Sequence, residues 1–265
     1  MPAPLQHRLV FLCGLHKSGT SPFFRLLSSH PQISGFSDTG VPEDEGQHLQ
    51  SVFPPAKAYG GPGRFGFASE AHLTETSDLA TSANANKLFG EWSKYWDLSR
   101  PFLLEKSPPS LIRTRFFQAM FPNSSFIVIT RHPVAVSLAT RKWCDSSLRS
   151  LMEHWLRCHD LFAEDRKHLQ RVLVLRYEDI IRSTQSQLDH VCNFIGVVPH
   201  SPPLLNPSGN ENYFAAWRNL SSDRRTYEEC RQVTAQYEMK ARQYGYSLAD
   251  CAASLPAPAF GNRGL

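Results

Sequence analysis

The sequence predicts a three-layer α/β protein, in which helices cover both faces of a central parallel sheet. Two observations predict this class. Short apolar runs alternate with segments of helical periodicity along most of the chain, and repeated strand–helix units of this length favour a parallel sheet. The apolar runs are also continuous rather than alternating with polar residues, as in strands buried on both faces.

The first strand–helix unit carries the strongest functional pattern. An apolar strand at residues 8–13 continues into a Gly/Ser/Thr loop, and Pro22 suits the first turn of the helix that follows. Loop glycines let the backbone approach an anion, and a helix N-terminus attracts one. We therefore predict a phosphate-binding loop formed by Gly14, His16, Lys17, Ser18, Gly19, Thr20 and Ser21. It is not a Walker A loop, because the lysine precedes the second glycine.

The remaining elements follow in order along the chain. A short extended segment is predicted at 30–36, and an insertion at 37–96 is predicted to act as a lid or to bind an acceptor. Further strands are predicted at 101–104, 125–130 and 172–175. Helical character is predicted at 73–96, clearest in its second half, and helices at about 110–120, 134–142, 147–170 and 183–195. The pattern predicts one domain, residues 1–254, and a flexible tail at 255–265.

The composition limits the class of protein. A chain of 265 residues with 41% hydrophobic and 20% charged residues is typical of a globular protein, and the net charge of +4 suits an anionic ligand. No basic run or basic–aromatic stripe predicts a nucleic-acid partner, and the six cysteines have no metal-ligand spacing. No apolar run has the length of a membrane span, and no secretory signal is recognisable, so we expect a cytoplasmic protein without a metal.

Polar clusters follow four of the predicted strands, where ligands bind in parallel sheets. They are residues 17–21, 105–107, 131–132 and 176–179. The planar guanidinium of Arg131 suits a phosphate group, and a hydroxyl on the following helix could add a hydrogen bond.

These clusters resemble those of the PAPS-dependent sulfotransferases (PAPS is 3′-phosphoadenosine 5′-phosphosulfate). Residues 17–21, Lys-Ser-Gly-Thr-Ser, resemble the family's 5′-phosphosulfate loop, and the strand ending in Arg131-His-Pro resembles its 3′-phosphate motif. The family's serine eight residues after the arginine is Ala139 here, so Ser137 and Thr140 are both candidate ligands. Residues 176–179, Arg-Tyr-Glu-Asp, are similar to an element whose tyrosine, Tyr177 here, lies near the adenine, and the segment 209–217 resembles one that closes over the nucleotide.

The resemblance spans residues 8–220 and implies a P-loop-like α/β domain with PAPS as the sulfuryl donor and adenosine 3′,5′-bisphosphate as the product. It also implies that Lys17 stabilises the leaving oxygen. The cytosolic small-molecule branch has Lys-x-His where this chain has Lys106-Ser-Pro108. Glu-Lys-Ser-Pro is instead similar to the carbohydrate, tyrosine-directed and bacterial enzymes, in which a loop glutamate is the base and Lys106 would reach the sulfuryl group or the acceptor. Glu45 is the first candidate for the base, with Glu43 and His48 as alternatives.

Two other functions are compatible with the residues: a P-loop kinase-like phosphotransferase, and a nucleotide-binding protein without catalysis. The acceptor could be a small molecule, a carbohydrate, a lipid or a phenol, and a homodimer is left open. Seven aromatic residues of the insertion could stack on sugars, line an apolar pocket or belong to the core: Phe53, Tyr59, Phe65, Phe67, Trp92, Tyr95 and Trp96.

Overall fold

The computed structural model describes residues 7–201, 209–253 and 255. The strands form one parallel sheet in the order β2-β3-β1-β4-β5. They are β1 (Arg8–Cys13), β2 (Ile33–Gly35), β3 (Phe102–Lys106), β4 (Ser125–Thr130) and β5 (Val172–Arg176). Helices surround this sheet, which confirms the predicted α/β architecture. β3 extends two residues beyond its predicted end, so Glu105 and Lys106 are its last residues.

The helices largely follow the predicted positions. They are α1 (Thr20–Ser28), α2 (Ser82–Trp92), α3 (Thr114–Met120), α4 (Pro133–Thr140), α5 (Leu148–Asp165), α6 (Tyr177–Arg182), α7 (Thr184–Ile195), α8 (Glu211–Ser222) and α9 (Tyr227–Gln243). The sequence analysis did not predict α6, α8 or α9. It extended α5 to residue 170, but the chain tightens there into the 3₁₀ turn Arg166–His168. α7 ends as expected at Gly196, whose φ of 89° is left-handed.

The core lies on both faces of the sheet. Every residue of β3 and β4 is buried, and so is every residue of β1 after Arg8. On one face Phe11 stacks on Phe117 and Phe126, with ring centroids 4.5 and 5.4 Å apart. Burying a side chain of this size contributes about 1.5–3 kcal/mol. The sheet is therefore a rigid platform for the loops at its carboxyl edge.

The insertion at 37–96 is a packed segment rather than an open loop. It contains short 3₁₀ turns at Pro42–Asp44, Gly46–His48, Ala56–Tyr59, Phe65–Phe67 and Ser69–Ala71, followed by α2. Of its aromatic residues, Phe53, Phe65, Trp92 and Trp96 are buried in the core. The Trp92 indole also donates to the carbonyl of Gly46 at 2.9 Å, which joins the start of the insertion to α2 near its end. These four aromatic residues are therefore packing residues, whereas Phe67 and Tyr95 are exposed.

The strand order determines where a ligand can bind. β1 lies between β3 and β4, and the chain runs from β1 to the β2–β3 side before it crosses to β4 and β5. Loops on the two sides of such a switch point diverge and leave a crevice outside the carboxyl ends of the strands. The predicted polar clusters at the ends of β1, β3, β4 and β5 are thus brought to one edge. The predicted tail at 255–265 lies outside the described residues, apart from Leu255.

Candidate active site

The loop between β1 and α1 is closed against α6. Gly19 has a φ of 92° and lies directly on the ring of Tyr177, because a Cβ at this position would be 2.3 Å from the Tyr177 Cδ2 atom. Lys17 also has a left-handed backbone, with a φ of 67°. Non-glycine residues adopt this conformation only where the surroundings enforce it, and such residues cluster at functional sites. The loop geometry is thus specific to glycine at 19 and is supported by Tyr177.

A cleft of about 480 Å³ opens at the carboxyl edge of the sheet. The predicted site residues that line it are His16, Lys17, Gly19, Thr20, Ser21, Glu43, Glu45, Arg131 and Tyr177. The predicted residues Gly14, Ser18, His48, Lys106, Ser137 and Thr140 are not part of this lining. Arg25 and Trp143, which the sequence analysis did not single out, line it as well.

Arg131 is held rigidly beside the loop and is only 6% exposed. Its Nε donates to Asn210 Oδ1 and its Nη1 donates to the Lys17 carbonyl, both at 2.8 Å. The guanidinium carbon lies 4.1 Å from the ring centroid of Tyr177. Its Nη2 has no hydrogen-bond partner among the described residues. The arrangement leaves a fixed, buried donor at the cleft, of the kind that binds a phosphate.

Asn210 is a site residue that the sequence analysis did not single out. Its side-chain nitrogen donates to Glu178 Oε1 at 2.6 Å, and the same oxygen accepts the backbone N–H of His132 at 3.0 Å. The resemblance at 209–217 indicated a nucleotide-closing segment but not this contact. Asn210 and Glu178 therefore orient Arg131 from outside the cleft.

The Lys17 ammonium lies over an aromatic ring. Its Nζ is 3.1 Å from the ring centroid of Trp143, a residue that follows α4. Burial lowers the pKa of Lys17, and the positive charges of Lys142 and Arg131 lower it further, whereas Glu43 opposes them. No sequence pattern distinguishes Trp143, because the contact joins two segments that are far apart in the chain.

Two carboxylates, those of Glu43 and Glu45, line the same cleft. Glu43 has a left-handed φ of 54°, and its carboxylate accepts from Ser21 Oγ at 3.0 Å. Glu45 is 6% exposed and lies 3.3 Å from the ammonium of Lys106. Lys106 is buried and also donates to the Glu43 carbonyl at 2.9 Å. Lys106 therefore neutralises Glu45 and fixes the loop that carries both carboxylates.

His48 and Gln47 complete this loop. The Nε2 atom of His48 lies 3.9 Å from Glu45 Oε2, at the limit of an ion pair, and Gln47 donates its side-chain amide to the same carboxylate. The side-chain oxygen of Gln47, Oε1, in turn accepts the backbone N–H of Ala56 at 2.8 Å. Glu45 is thus oriented by several neighbours on its own loop.

Glu105 lies beneath this loop and is fully buried. Burial, followed by the charge of Glu45, raises the pKa of Glu105 to about 7, while hydrogen bonds from Ser107 and Ser110 oppose the shift. Ser107 also accepts the backbone N–H of Gln47 at 2.9 Å. A Cβ on Gly46 would lie 2.7 Å from Glu105, so the loop backbone rests directly on this side chain. The Glu-Lys-Ser-Pro motif thus supports the carboxylate loop from below.

Ser137 and Thr140 line a separate, small cavity together with His16. Their hydroxyls and the His16 Nδ1 atom are buried without hydrogen-bond partners among the described residues. Burial lowers the pKa of His16 to about 3, so its ring is neutral. The structure does not bring these hydroxyls to the cleft that Arg131 lines. That one of them binds the 3′-phosphate stays a prediction.

Two features are absent from the part of the chain that the structure describes, a metal-binding cluster and a membrane-spanning helix. Within residues 7–201, 209–253 and 255, no cluster of three or more His, Cys, Asp or Glu side chains could hold a metal ion. Over the same ranges, no helix combines the length and apolar character needed to cross a membrane.

Known proteins resemble this chain in sequence and in fold. Residues 10–201 match the sulfotransferase family. The chain is 23% identical over 217 residues to protein-tyrosine sulfotransferase 2 of Gallus gallus, an alignment that covers 76% of this chain and 56% of that protein. The chain thus spans little more than half the length of this relative.

Two solved structures are similar to this chain. Sulfotransferase STF9 of Mycobacterium avium is 15% identical with a TM-score of 0.50, and the alignment covers 89% of this chain and 76% of that one. A sulfotransferase from Alicyclobacillus acidocaldarius is 18% identical with a TM-score of 0.45, covering 87% and 95% of the two chains. Because the family match extends over most of the chain and includes the β1–α1 loop and Arg131, the protein belongs to the sulfotransferase family.

Proposed function

We propose that the protein transfers the sulfuryl group of PAPS to a hydroxyl or amine of an acceptor by in-line displacement. The observation that carries this proposal is that one cleft brings together two cations, Lys17 and Arg131, and the carboxylate Glu45. Transfer of an anionic group needs stabilisation of charge on the leaving oxygen and a base for the acceptor proton. The cleft contains residues suited to both tasks.

The cation side of the cleft fits the donor. When bound, PAPS supplies the sulfuryl group. The free Nη2 of Arg131 suits its 3′-phosphate, and the β1–α1 loop, which tolerates only glycine at 19, suits its 5′-phosphosulfate. Tyr177 lines the same cleft, and its aromatic ring suits the adenine.

The two catalytic tasks fall to Lys17 and to a carboxylate of the cleft. Lys17 neutralises the charge that develops on the leaving oxygen, as a compact cation on a flexible stem can do. Glu45 accepts the proton of the acceptor, with Glu43 as the second candidate because it also lines the cleft. His48 follows as the third, since it does not line the cleft. Lys106 positions the loop, because its ammonium already contacts Glu43 and Glu45.

The acceptor carries a hydroxyl or amine on a small molecule, a carbohydrate or a lipid. The relative named for protein tyrosine adds a phenolic side chain of a protein to these classes. Radiolabelled transfer to one member of each class, compared between wild type and Glu45→Gln, identifies the class. True transfer disappears in the variant, whereas labelling that persists in it does not depend on this site.

The experiment that tests the donor is calorimetry with adenosine 3′,5′-bisphosphate. Arg131→Ala removes charge-assisted hydrogen bonds worth about 1.5–3 kcal/mol, so we expect its affinity to fall by about 10- to 150-fold. Arg231→Ala is the matched control, because Arg231 is exposed on α9 and, among the described residues, pairs with Glu228 alone. A preference for Mg²⁺-ATP over the bisphosphate would overturn the proposal in favour of a kinase-like phosphotransferase.

We further propose a reducing compartment, the cytoplasm. All six cysteines are unpaired, as expected where thiols are kept reduced. Cell fractionation tests this location, and recovery of the protein in a secretory compartment would contradict it.

A further inference from the structure

The Lys17 ammonium has an unusual set of neighbours. Its Nζ lies 3.1 Å from the centre of the Trp143 indole ring. No hydrogen bond or ion pair is formed by this Nζ within the described residues, although two carboxylates line the same cleft. By contrast, the ammonium of Lys106 is committed to both an ion pair and a hydrogen bond. The proposed catalytic cation therefore rests on an aromatic face.

Trp143 is not a core residue. It is 51% exposed, lies in the short turn Arg141–Trp143 after α4, and lines the cleft. Its other ring contact is an edge contact with His16, at a centroid distance of 6.5 Å. The chain's four other tryptophans, at 92, 96, 155 and 217, are all buried. Because the indole is half exposed and has a cation on one face, we assign it a role in the cleft rather than a role in core packing.

The two kinds of contact available to Lys17 differ in strength. A cation over an exposed aromatic face is held weakly, whereas a charge-assisted hydrogen bond to a carboxylate or phosphate is among the stronger polar contacts. An ammonium paired with Glu43 would be neutralised, and one paired with Glu45 would add a second cation to the carboxylate that Lys106 already contacts. An ammonium on the indole stays charged and is readily given up to an anion.

We propose that Trp143 is a positioning residue for Lys17. Its indole holds the ammonium above the cleft in the donor-free protein, away from the carboxylates of Glu43 and Glu45, and releases it to the anionic donor. The second half of this inference rests on the proposed function, because it needs an anion in the β1–α1 loop. The first half is a property of the free protein.

The contact in the free protein can be tested without a ligand. Trp143 is the exposed tryptophan, so acrylamide quenching of intrinsic fluorescence reports mainly on it, and Trp143→Phe gives the background from the buried four. Lys17→Ala uncovers one of the two ring faces, so we expect the quenching constant of Trp143 to rise by about twofold. Lys142→Ala is the matched control, since its ammonium lies near Tyr213 instead. Equal quenching in wild type and Lys17→Ala would overturn the contact.

The role of the contact is tested by a double-mutant cycle on the affinity for adenosine 3′,5′-bisphosphate. Trp143→Leu removes the aromatic face and frees Lys17 to pair with a carboxylate, so we expect binding to weaken by about 3- to 10-fold. Trp143→Phe keeps an aromatic face and should restore most of the affinity. In the Lys17→Ala background, Trp143→Leu should have no effect, because a positioning residue acts only through its partner.

The outcomes separate the two proposals. Equal weakening by Trp143→Leu in both backgrounds would show a direct contact with the ligand and overturn the positioning role, and so would the absence of any effect. Failure of the wild type to bind the bisphosphate would overturn the proposed function and the release of Lys17 with it. The quenching comparison would still decide whether the indole holds Lys17 in the free protein.

Discussion

The charged side chains of the cleft, Arg131, Lys17 and Glu45, are held by different kinds of contact. Arg131 is fixed by hydrogen bonds to Asn210 and to the Lys17 carbonyl, and the Lys17 ammonium lies on Trp143. Glu45 is held by Lys106. Within the described residues neither Lys17 nor Arg131 forms an ion pair with Glu45, so a substitution at Glu45 should leave both cations in place. Donor binding and proton transfer can therefore be tested separately.

The base should be identified by a pair of matched variants. Glu45→Gln keeps the size of the side chain but removes the proton acceptor, so we expect kcat to fall by about 10²- to 10⁴-fold while the affinity for adenosine 3′,5′-bisphosphate changes little. Glu43→Gln is the control, since Glu43 lines the same cleft and contacts Ser21. Steady-state kinetics and calorimetry on both variants provide the measurement. A larger loss of kcat in Glu43→Gln would assign the base to Glu43 instead.

Glu105 should make stability depend on pH. Burial and the neighbouring Glu45 raise its pKa to about 7 in the folded protein, whereas an unfolded glutamate titrates near its ordinary value of about 4.3. The folded state therefore favours the protonated carboxyl, and this contribution is present below about pH 4.3 and lost as the pH rises to about 7. Glu105→Gln mimics the neutral form.

The difference in unfolding free energy between Glu105→Gln and wild type should consequently move in favour of the variant as the pH rises from about 4.5 to 7. Urea unfolding of both proteins across this range measures it. Ser107→Ala is a useful companion, because it removes the hydroxyl that joins Glu105 to the backbone of Gln47. A difference that does not change with pH would mean that Glu105 has the same pKa in the folded and unfolded states.

At the scale of elements, the β1–α1 loop and the start of α6 act as one unit. Gly19 and Tyr177 are in contact although they lie 158 positions apart in the chain. The Arg131 guanidinium also lies over the Tyr177 ring. The loop conformation thus depends on a ring supplied by another strand–helix unit. A side chain at position 19 would separate the two elements.

Gly19→Ala should be more damaging than an alanine at a similarly strained but open glycine. At Gly19 the new Cβ meets both a left-handed φ of 92° and the Tyr177 ring, whereas Gly40 has a φ of 80° with open space around it. Backbone strain of this kind costs about 1–3 kcal/mol, and only Gly19→Ala adds the clash. We expect Gly19→Ala to lower the melting temperature more than Gly40→Ala does. We also expect the affinity for adenosine 3′,5′-bisphosphate to be lost in Gly19→Ala and kept in Gly40→Ala. Equal effects of the two substitutions would argue against the contact with Tyr177.

At the scale of the whole molecule, buried histidines connect the site to acid stability. Burial is the main cause that lowers the pKa of His16, His132 and His154 to about 3 and that of His159 to about 4. These rings are neutral in the folded protein and become charged in the unfolded chain below about pH 6.5. Their contribution is therefore present above pH 6.5 and lost as the pH falls towards the folded pKa values.

We accordingly expect the unfolding free energy to decrease steeply below about pH 6.5. Each histidine contributes a slope of up to about 1.4 kcal/mol per pH unit, so together they outweigh the opposite trend of Glu105. Chemical unfolding at pH 8, 6 and 5 measures the trend. An unfolding free energy that stays constant from pH 8 to 5 would show that the four rings are not held neutral.

Features that neighbouring residues encode could be predicted from the sequence, whereas features that depend on distant contacts could not. The strands, the β1–α1 loop and Arg131 could be predicted because apolar runs, glycine positions and helix starts are encoded in neighbouring residues. α8 and α9 were missed although the buried residues of α9, Cys230, Val233, Tyr237 and Ala241, have helical spacing, because polar and charged residues surround these apolar positions. The role of the insertion's aromatics could not be decided, since burial depends on what covers them.

The sequence by itself therefore determined the fold class, the family and the presence of Lys17 and Arg131 at the site, because each of these depends on short patterns whose chemistry is local. Only the tertiary structure decided which groups those cations contact. It placed Trp143 over Lys17, Lys106 on Glu45 rather than in the cleft lining, and Asn210 on Arg131. It also placed Ser137 and Thr140 in a separate cavity. The physical reason is that these contacts join residues far apart in the chain, and the packing of helices against the sheet sets which of them meet.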